Sequence, residues 1–405
     1  MFQLIGNDLK SIAVIGAGEM GHGIAEVFAL AGYSVFLKDI NISILEKAKT
    51  RISLSLESLV RKRRVAEDQV SSILDRIQLS VDYADFASEM VFCVESVPEL
   101  MSLKKVVFTE LDQVLPDGAI LATNTSTMSI TELAAVTNRP ERVIGMHFFN
   151  PVVIYDPVEI IKGDQTSEET VQVTRNLTES IGKIPLLVLK DIPGFMINRL
   201  QAPSQILACR VVEMGAATPC QIDAMSLKMG LPMGPFTIMD FLGLDVVKDA
   251  SDYLASRLGP EFAMSPWVEE LVTQGCYGHK TGKGIYNYEC GRPEIDVNDL
   301  PDPEKIRMID FVAVQINEAS KLIEAGVVED PADIDIAIMT GTGNKSGIFG
   351  LLASNRQEVI DRLAHLADMY QVEMFRPTEF LKTMPVPNVR KALREKKNRL
   401  KNLNS

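Results

Sequence analysis

The stretch SIAVIGAGEMGHGIAEVFALAGYSVFLKDIN, residues 11–41, decides the fold. A β-like apolar run at 12–15 enters a glycine-rich turn, an amphipathic helix follows, and a second apolar run ends at Asp39. Gly16, Gly18 and Gly21 stand in the spacing GxGxxG. The first two permit a tight turn and close approach of backbone to a pyrophosphate; the third lets helix pack on strand, and the helix N-terminus then faces the anion. Alone, that spacing carries little. Between a strand and a helix, with an acid closing the second strand, it predicts a dinucleotide-binding βαβ unit. Asp39 would accept hydrogen bonds from the adenosine ribose and repel a 2′-phosphate, so the expected cofactor is NAD rather than NADP.

Working outward, β-like runs recur at about 90–95, 119–122, 142–147 and 157–162, with helical stretches such as 99–115 between them. That alternation predicts a mostly parallel, Rossmann-type doubly wound sheet over 1–190, with a helical insertion at about 41–77. Ligands of such sheets sit beyond the carboxyl ends of the strands. Glu95, Asn124, Thr125, Ser126 and His147 all fall at or just after a strand end. The insertion carries four adjacent cations, Arg61, Lys62, Arg63 and Arg64. They read either as a solvated helix face or as a landing place for a phosphorylated substrate handle such as the nucleotide end of coenzyme A.

Composition narrows the classes. A 405-residue chain with 46% hydrophobic and 23% charged residues has material for two or three folded domains. Its net charge of −13 argues against a broad nucleic-acid footprint, which needs a dense Lys/Arg surface. The five cysteines include no CxxC pair and no Cys/His group at zinc spacing, so free thiols and no metal site are expected. The N-terminal residues run into the first strand without a signal-peptide pattern, and no apolar run reaches membrane-spanning length. A soluble, cytoplasmic protein without membrane or nucleic-acid partners is the expectation.

His147 is one of four histidines and ends a β-like run before FFNP, where Pro151 must stop the strand. Glu159 lies twelve residues on, inside the next run. Adjacent strands would bring the two together, either as a base whose tautomer the carboxylate sets or as a satisfied structural pair.

VIGAGEMGHGIA, TNTSTMSIT, RVIGMHFFNPV, VEII, KDIPGFMINRL, GLPMGPFTIMDFLGLD and HKTGKGIYNY follow one another as in L-3-hydroxyacyl-CoA dehydrogenases, which the chain resembles over about 1–290. The resemblance implies a 3-hydroxybutyryl-CoA dehydrogenase-like enzyme that oxidises an L-3-hydroxyacyl-CoA with NAD. It implies a base at His147, a supporting acid at Glu159 and polar groups at Ser126 and Asn198 that hold the reacting oxygen. The cofactor set it suggests is Gly16, Gly18, Glu19, Met20, Gly21, Asp39, Asn124 and Glu95, the last near the nicotinamide. Asn150 joins Ser126, Asn198 and the cationic run on the substrate side. Two departures bear on the acyl group and the cofactor pocket. VVIYDPVEII stands where the family commonly has VPVMKLVEVI, and Leu100 where it often has Asn or Asp. Larger family members fuse a hydratase domain, and no such sequence appears. The alternatives are a dehydrogenase of a free 3-hydroxy acid, such as a sugar acid or carnitine-like substrate, and a non-catalytic NAD-binding protein.

Beyond residue 190 the pattern turns helical and repeats. Segments 207–236 and 317–349 share an apolar helix ending in Glu-x-Gly, an Ile-Asp that opens the next helix, and a glycine-rich turn. Glu213 corresponds to Glu324, Gly215 to Gly326, Asp223 to Asp335 and Gly230 to Gly343, with two single-residue insertions. The second copy has Asn344-Lys345-Ser346 where the first has Leu231-Pro232-Met233, so it is expected to pack on the first copy rather than to hold a second active site. The expected fold is thus the Rossmann-type domain followed by two tandem all-α domains, 191–290 and 291–385, joined by a polar linker at 289–305. A basic helical tail, 386–405, is expected to be solvated at its end. Related helical domains pair across a dimer, so the chain is expected to be a monomer with that surface satisfied internally, or a homodimer.

Overall fold

The computed structural model describes residues 10–291, 294–298, 300–342 and 346–403. They divide into two compact units, one of residues 1–192 with 389–405 and one of residues 193–388.

The first unit is built on an eight-stranded sheet. Its strands are β1 (Ser11–Ile15), β2 (Ser34–Lys38), β3 (Ile77–Ser80), β4 (Phe92–Glu95), β5 (Ile120–Thr123), β6 (Val143–Phe148), β7 (Pro157–Ile161) and β8 (Ile184–Val188). Their order is β3-β2-β1-β4-β5-β6-β7-β8, and all neighbours are parallel except β6 and β7. The strand order reverses between β1 and β4, which is where a doubly wound sheet opens a ligand crevice. The helices are α1 (Gly21–Leu30), α2 (Ile42–Arg61), α3 (Val70–Asp75), α4 (Met101–Val114), α5 (Ile130–Ala134) and α6 (Glu168–Ser180). Strands β4 to β8 are buried along their whole length, as covering helices on both faces require. The main core joins Val14, Ile24 and Phe28 to Ile52 and Leu56 of α2 and to Phe92, Ile144 and Phe148 of the strands.

Two strands escape the sequence pattern. They are β3 and β8; β3 has four residues and follows directly on the insertion, so its few apolar residues merge with the helical periodicity before them.

The second unit is helical: α7 (Ile197–Glu213), α8 (Pro219–Lys228), α9 (Pro235–Leu242), α10 (Leu244–Leu258), α11 (Pro266–Thr273), α12 (Met308–Glu324), α13 (Ala332–Gly341) and α14 (Phe349–Tyr370). Helices α7 and α12 pack antiparallel, with Arg199 paired to Glu318 and Ser204 Oγ donating to Phe311 O at 2.8 Å. Both residue pairs sum to nearly the same number, as antiparallel neighbours must. Asp335 lies in the first turn of α13, as expected from the pattern, whereas Asp223 is set further in, as the fifth residue of α8. Their carboxylates reach across to the next helix. Asp223 accepts from Phe236 N (2.9 Å) and Thr237 N (2.8 Å), and Asp335 from Ile348 N (2.7 Å). A methyl on Gly234 or on Gly347 would strike the respective carboxylate, at 2.3 and 2.0 Å. Gly215 and Gly326 both end a helix in the left-handed region, at φ 64° and 63°. Gly343, Asn344 and Lys345 lie outside the described residues. The described residues of the linker carry no helix or strand, and Gln221 and Lys228 bond Pro301 O and Asp302 at 3.2 and 2.7 Å. One compact unit therefore spans both expected helical copies.

The C-terminal segment is helical, as the sequence reading expects, but one face of it is held against the first unit rather than left in solvent. It forms helix α15 (Val389–Leu403), which belongs to the first unit. Arg399 Nε donates to Glu179 Oε2 of α6 (2.9 Å) and Lys396 Nζ to Pro185 O of β8 (3.3 Å). Val389, Ala392, Leu393 and Leu400 turn a half-buried face inward. Strand β8 is an edge of the sheet, and covering it hides an open ladder.

Candidate active site

The glycine turn closes directly on the switch point. Gly16 adopts φ +100°, and a methyl there would lie 2.4 Å from Ser96 O, just after β4. A methyl on Gly21 would meet Gly16 O at 1.8 Å, so the third glycine lets α1 sit on the turn itself. At Gly18 a Cβ meets nothing within 4 Å, which leaves the turn open toward solvent. Asp39 ties β2 to the turn: Oδ2 accepts from Ala17 N and Oδ1 from Ile40 N, both at 2.7 Å. The half-buried carboxylate stands where an adenosine ribose would meet it. Met20 is the N-cap residue of α1, and exposed Glu19 pairs with Arg51 at 2.9 Å. These residues fit a dinucleotide: an open turn, a helix N-terminus and a carboxylate that disfavours a 2′-phosphate.

Beside the turn lies a buried polar bracket, and here one expectation is corrected. Glu95 does not line the crevice; it is fully buried. Its Oε1 accepts from Lys104 Nζ and Val97 N (both 2.7 Å) and its Oε2 from Thr123 Oγ1 (2.6 Å). The carboxylate is consumed in joining β4 to β5 and α4. The acid that reaches Ser126 is Glu99, through Ser126 N (3.0 Å) and Oγ (3.4 Å), with Thr125 Oγ1 donating to the same oxygen. Lys104 Nζ sits 3.1 Å from Glu99 Oε2. Burial alone would raise the Glu99 carboxyl, but Lys104 and the Thr125 and Ser126 bonds outweigh it, so its pKa falls below the usual range. Glu99 and Lys104 were missed from sequence. The available signal was Lys104 itself, a cation one turn before Val107, Phe108 and Leu111 on the inward face of α4, which demands a buried acid.

His147 and Glu159 are opposite one another in the antiparallel β6–β7 register, and His147 Nδ1 lies 2.6 Å from Glu159 Oε2. Glu159 is fully buried and His147 is 9% exposed. Neighbouring Phe149 stacks on the imidazole, with centroids 5.4 Å apart and planes 30° apart. Asn124 steadies the same strand, its Oδ1 accepting from Phe148 N at 2.9 Å. Asn150 is exposed at the head of the loop that follows, joined to Pro151 by a cis peptide. Arg61, Lys62, Arg63 and Arg64 are exposed at the end of α2, where the chain turns through Arg63 at φ 56°. Asn198 belongs to the helical unit. It is the half-buried second residue of α7, after a bend in which Gly194 and Phe195 take φ 77° and 50°.

An imidazole with its Nδ1 side held by a buried carboxylate suits the transfer of one proton, and a nucleotide cradle in the same sheet suits the transfer of a hydride. That combination defines the class as an NAD-dependent oxidoreductase. Residues 11–192 match the family described as 3-hydroxyacyl-CoA dehydrogenase, NAD binding domain, and residues 194–288 match 3-hydroxyacyl-CoA dehydrogenase, C-terminal domain. The mitochondrial hydroxyacyl-coenzyme A dehydrogenase of Sus scrofa is 38% identical over 289 residues, 69% of this chain and 92% of the relative. Among solved structures, 3-hydroxybutyryl-CoA dehydrogenase from Escherichia coli K12 superposes with a TM-score of 0.84 at 28% identity, over 96% of this chain and 99% of that one. (S)-3-hydroxybutyryl-CoA dehydrogenase from Ralstonia eutropha gives 0.66 at 36% identity, over 69% and 99%. The chain belongs to the 3-hydroxyacyl-CoA dehydrogenase family.

Proposed function

We propose that this enzyme oxidises L-3-hydroxyacyl-CoA to 3-oxoacyl-CoA and runs the reverse reduction, with a short acyl chain such as 3-hydroxybutyryl as substrate. The observation that carries the reading is the 2.6 Å contact of His147 Nδ1 with Glu159 Oε2 across paired strands. A carboxylate there keeps the proton on Nδ1, which makes Nε2 the basic nitrogen. Bound NAD supplies the hydride acceptor for C3 of the substrate. As C3 gives up its hydride, His147 Nε2 takes the proton of the C3 hydroxyl, and Glu159 stabilises the imidazolium that forms. In reduction the same nitrogen returns the proton to the C3 oxygen. Ser126, oriented by Glu99, and Asn198 hold that oxygen. Asn150 and the cationic end of α2 take the coenzyme A side, since guanidinium and ammonium groups suit phosphates.

The helical unit reads as a duplicated domain, its second copy packed on the first as a subunit would be. The matched Asp223/Gly234 and Asp335/Gly347 contacts support this reading. So does the antiparallel α7–α12 packing, which a two-fold relation between copies would generate. A single active site in a monomeric chain follows.

The test follows NADH absorbance with purified enzyme and acetoacetyl-CoA, with free acetoacetate as control. Oxidation with the thioester alone is the expected result. Turnover of the free acid instead would transfer the reading to a 3-hydroxy-acid dehydrogenase, and no turnover with thioesters of any length would overturn it.

A further inference from the structure

The loop of residues 149–156 joins the strand that carries His147 to the strand that carries Glu159, and it holds the sequence VVIYD that departs from the family pattern. Its side chains touch both halves of the chemistry. Phe149 stacks on the His147 ring. Val152 packs against the first turn of α1, where a methyl on Gly23 would come within 3.1 Å of it. Within the loop, Ile154 N and Tyr155 N both bond Pro151 O, at 3.0 and 3.1 Å, so it is wound on itself rather than laddered to a strand.

Lys183 reaches this loop from the turn between α6 and β8. It is 5% exposed, and its Nζ donates to Val152 O (2.6 Å) and Tyr155 O (2.5 Å). The next residue closes the strand pairing, Ile184 N donating to Asp156 O at 2.8 Å. Burial pushes the pKa of the Lys183 ammonium down to about 8, with the charge of Asp156 only partly opposing it. A buried amine directed at two loop carbonyls, with no part in the proton transfer, calls for a purpose.

We propose that Lys183 is a positioning residue for the dehydrogenation, clamping the β6–β7 loop so that the His147 ring and the first turn of α1 keep a fixed separation. The clamp acts on the spacing between base and cofactor cradle, where displacement of about 1 Å is enough to cost roughly 10²-fold in rate. It rests on the reading of His147 as base.

The test compares Lys183→Met, Lys183→Arg and His147→Ala with the parent, measuring kcat and KM for acetoacetyl-CoA alongside thermal melting. Lys183→Met removes the donors at similar length. Its kcat should fall about tenfold or more with KM changed less than about threefold, and Lys183→Arg, which restores donors, should return to within about threefold of the parent. A folded Lys183→Met with parental kcat overturns the clamp, even if it melts lower, because that is what a purely structural lysine predicts. A folded Lys183→Arg as slow as Lys183→Met overturns it too. Should the Met substitution prevent folding, Lys183→Gln is judged by the same criteria. Parental kcat in His147→Ala would bring down the underlying reading, whereas a dead His147→Ala beside a fully active Lys183→Met brings down the clamp alone.

Discussion

At the scale of the residue, the proposed mechanism gives His147 the chemistry and Glu159 its orientation. His147→Ala should lower turnover by roughly 10²–10⁴, the usual worth of a positioned acid–base group, and leave NAD binding nearly unchanged. Glu159→Gln should cost less, since it retains a polar partner for Nδ1 and loses only the charge. Steady-state kinetics with a parallel NAD titration checks both, and a His147 variant at parental turnover would remove it from the mechanism. Glu26 of α1 offers a different lever. It is 1% exposed, its Oε1 has no hydrogen-bond partner, and burial lifts its pKa from 4.5 to about 7 despite a bond from Ser55. The folded state therefore holds a proton that the unfolded chain releases. This contribution to stability is fully present below about pH 4.5 and is lost as pH rises through about 7. Glu26→Gln should remove that slope and stabilise the protein at pH 8 by about 1–3 kcal/mol. Urea unfolding at pH 5 and pH 8 checks it; an unchanged slope would mean that Glu26 does not titrate in this range.

At the scale of the element, the β6–β7 pair was legible because both strands are mostly apolar, each broken by one polar residue, and Pro151 must interrupt them. Its antiparallel register was not, because a twelve-residue separation is compatible with several alignments. The role of Glu95 was misread for a related reason. A glutamate at a strand end looks like a ligand until Lys104, nine residues on, is seen to fold back and neutralise it. Among the helices, Asp335 holds the start of α14 from inside α13. Asp335→Ala should cost about 1–3 kcal/mol by leaving backbone donors without their acceptor. Thermal unfolding measures it, and a change below about 0.5 kcal/mol would show that the contact contributes nothing.

At the scale of the whole molecule, the chain ends where it began. Helix α15 returns to the first unit and lies on its edge strand, while the residues between form the helical unit. If the second helical copy satisfies the surface that family members use for pairing, the enzyme needs no partner. It should sediment as a single species near 44.7 kDa at micromolar concentration. A stable dimer in analytical ultracentrifugation would place the pairing surface elsewhere.

The local sequence alone determined the glycine turn, the cofactor preference carried by Asp39, the candidate base, and the repeat in the helical half. Each of these is written in short-range terms: a residue type demanded by backbone conformation, by strand termination or by helical period. Only the tertiary structure decided that Glu99 rather than Glu95 faces Ser126, that Lys183 bonds the loop between β6 and β7, and that the basic tail covers β8. Those contacts join residues far apart in sequence, and their energies depend on burial and distance, which no local pattern encodes.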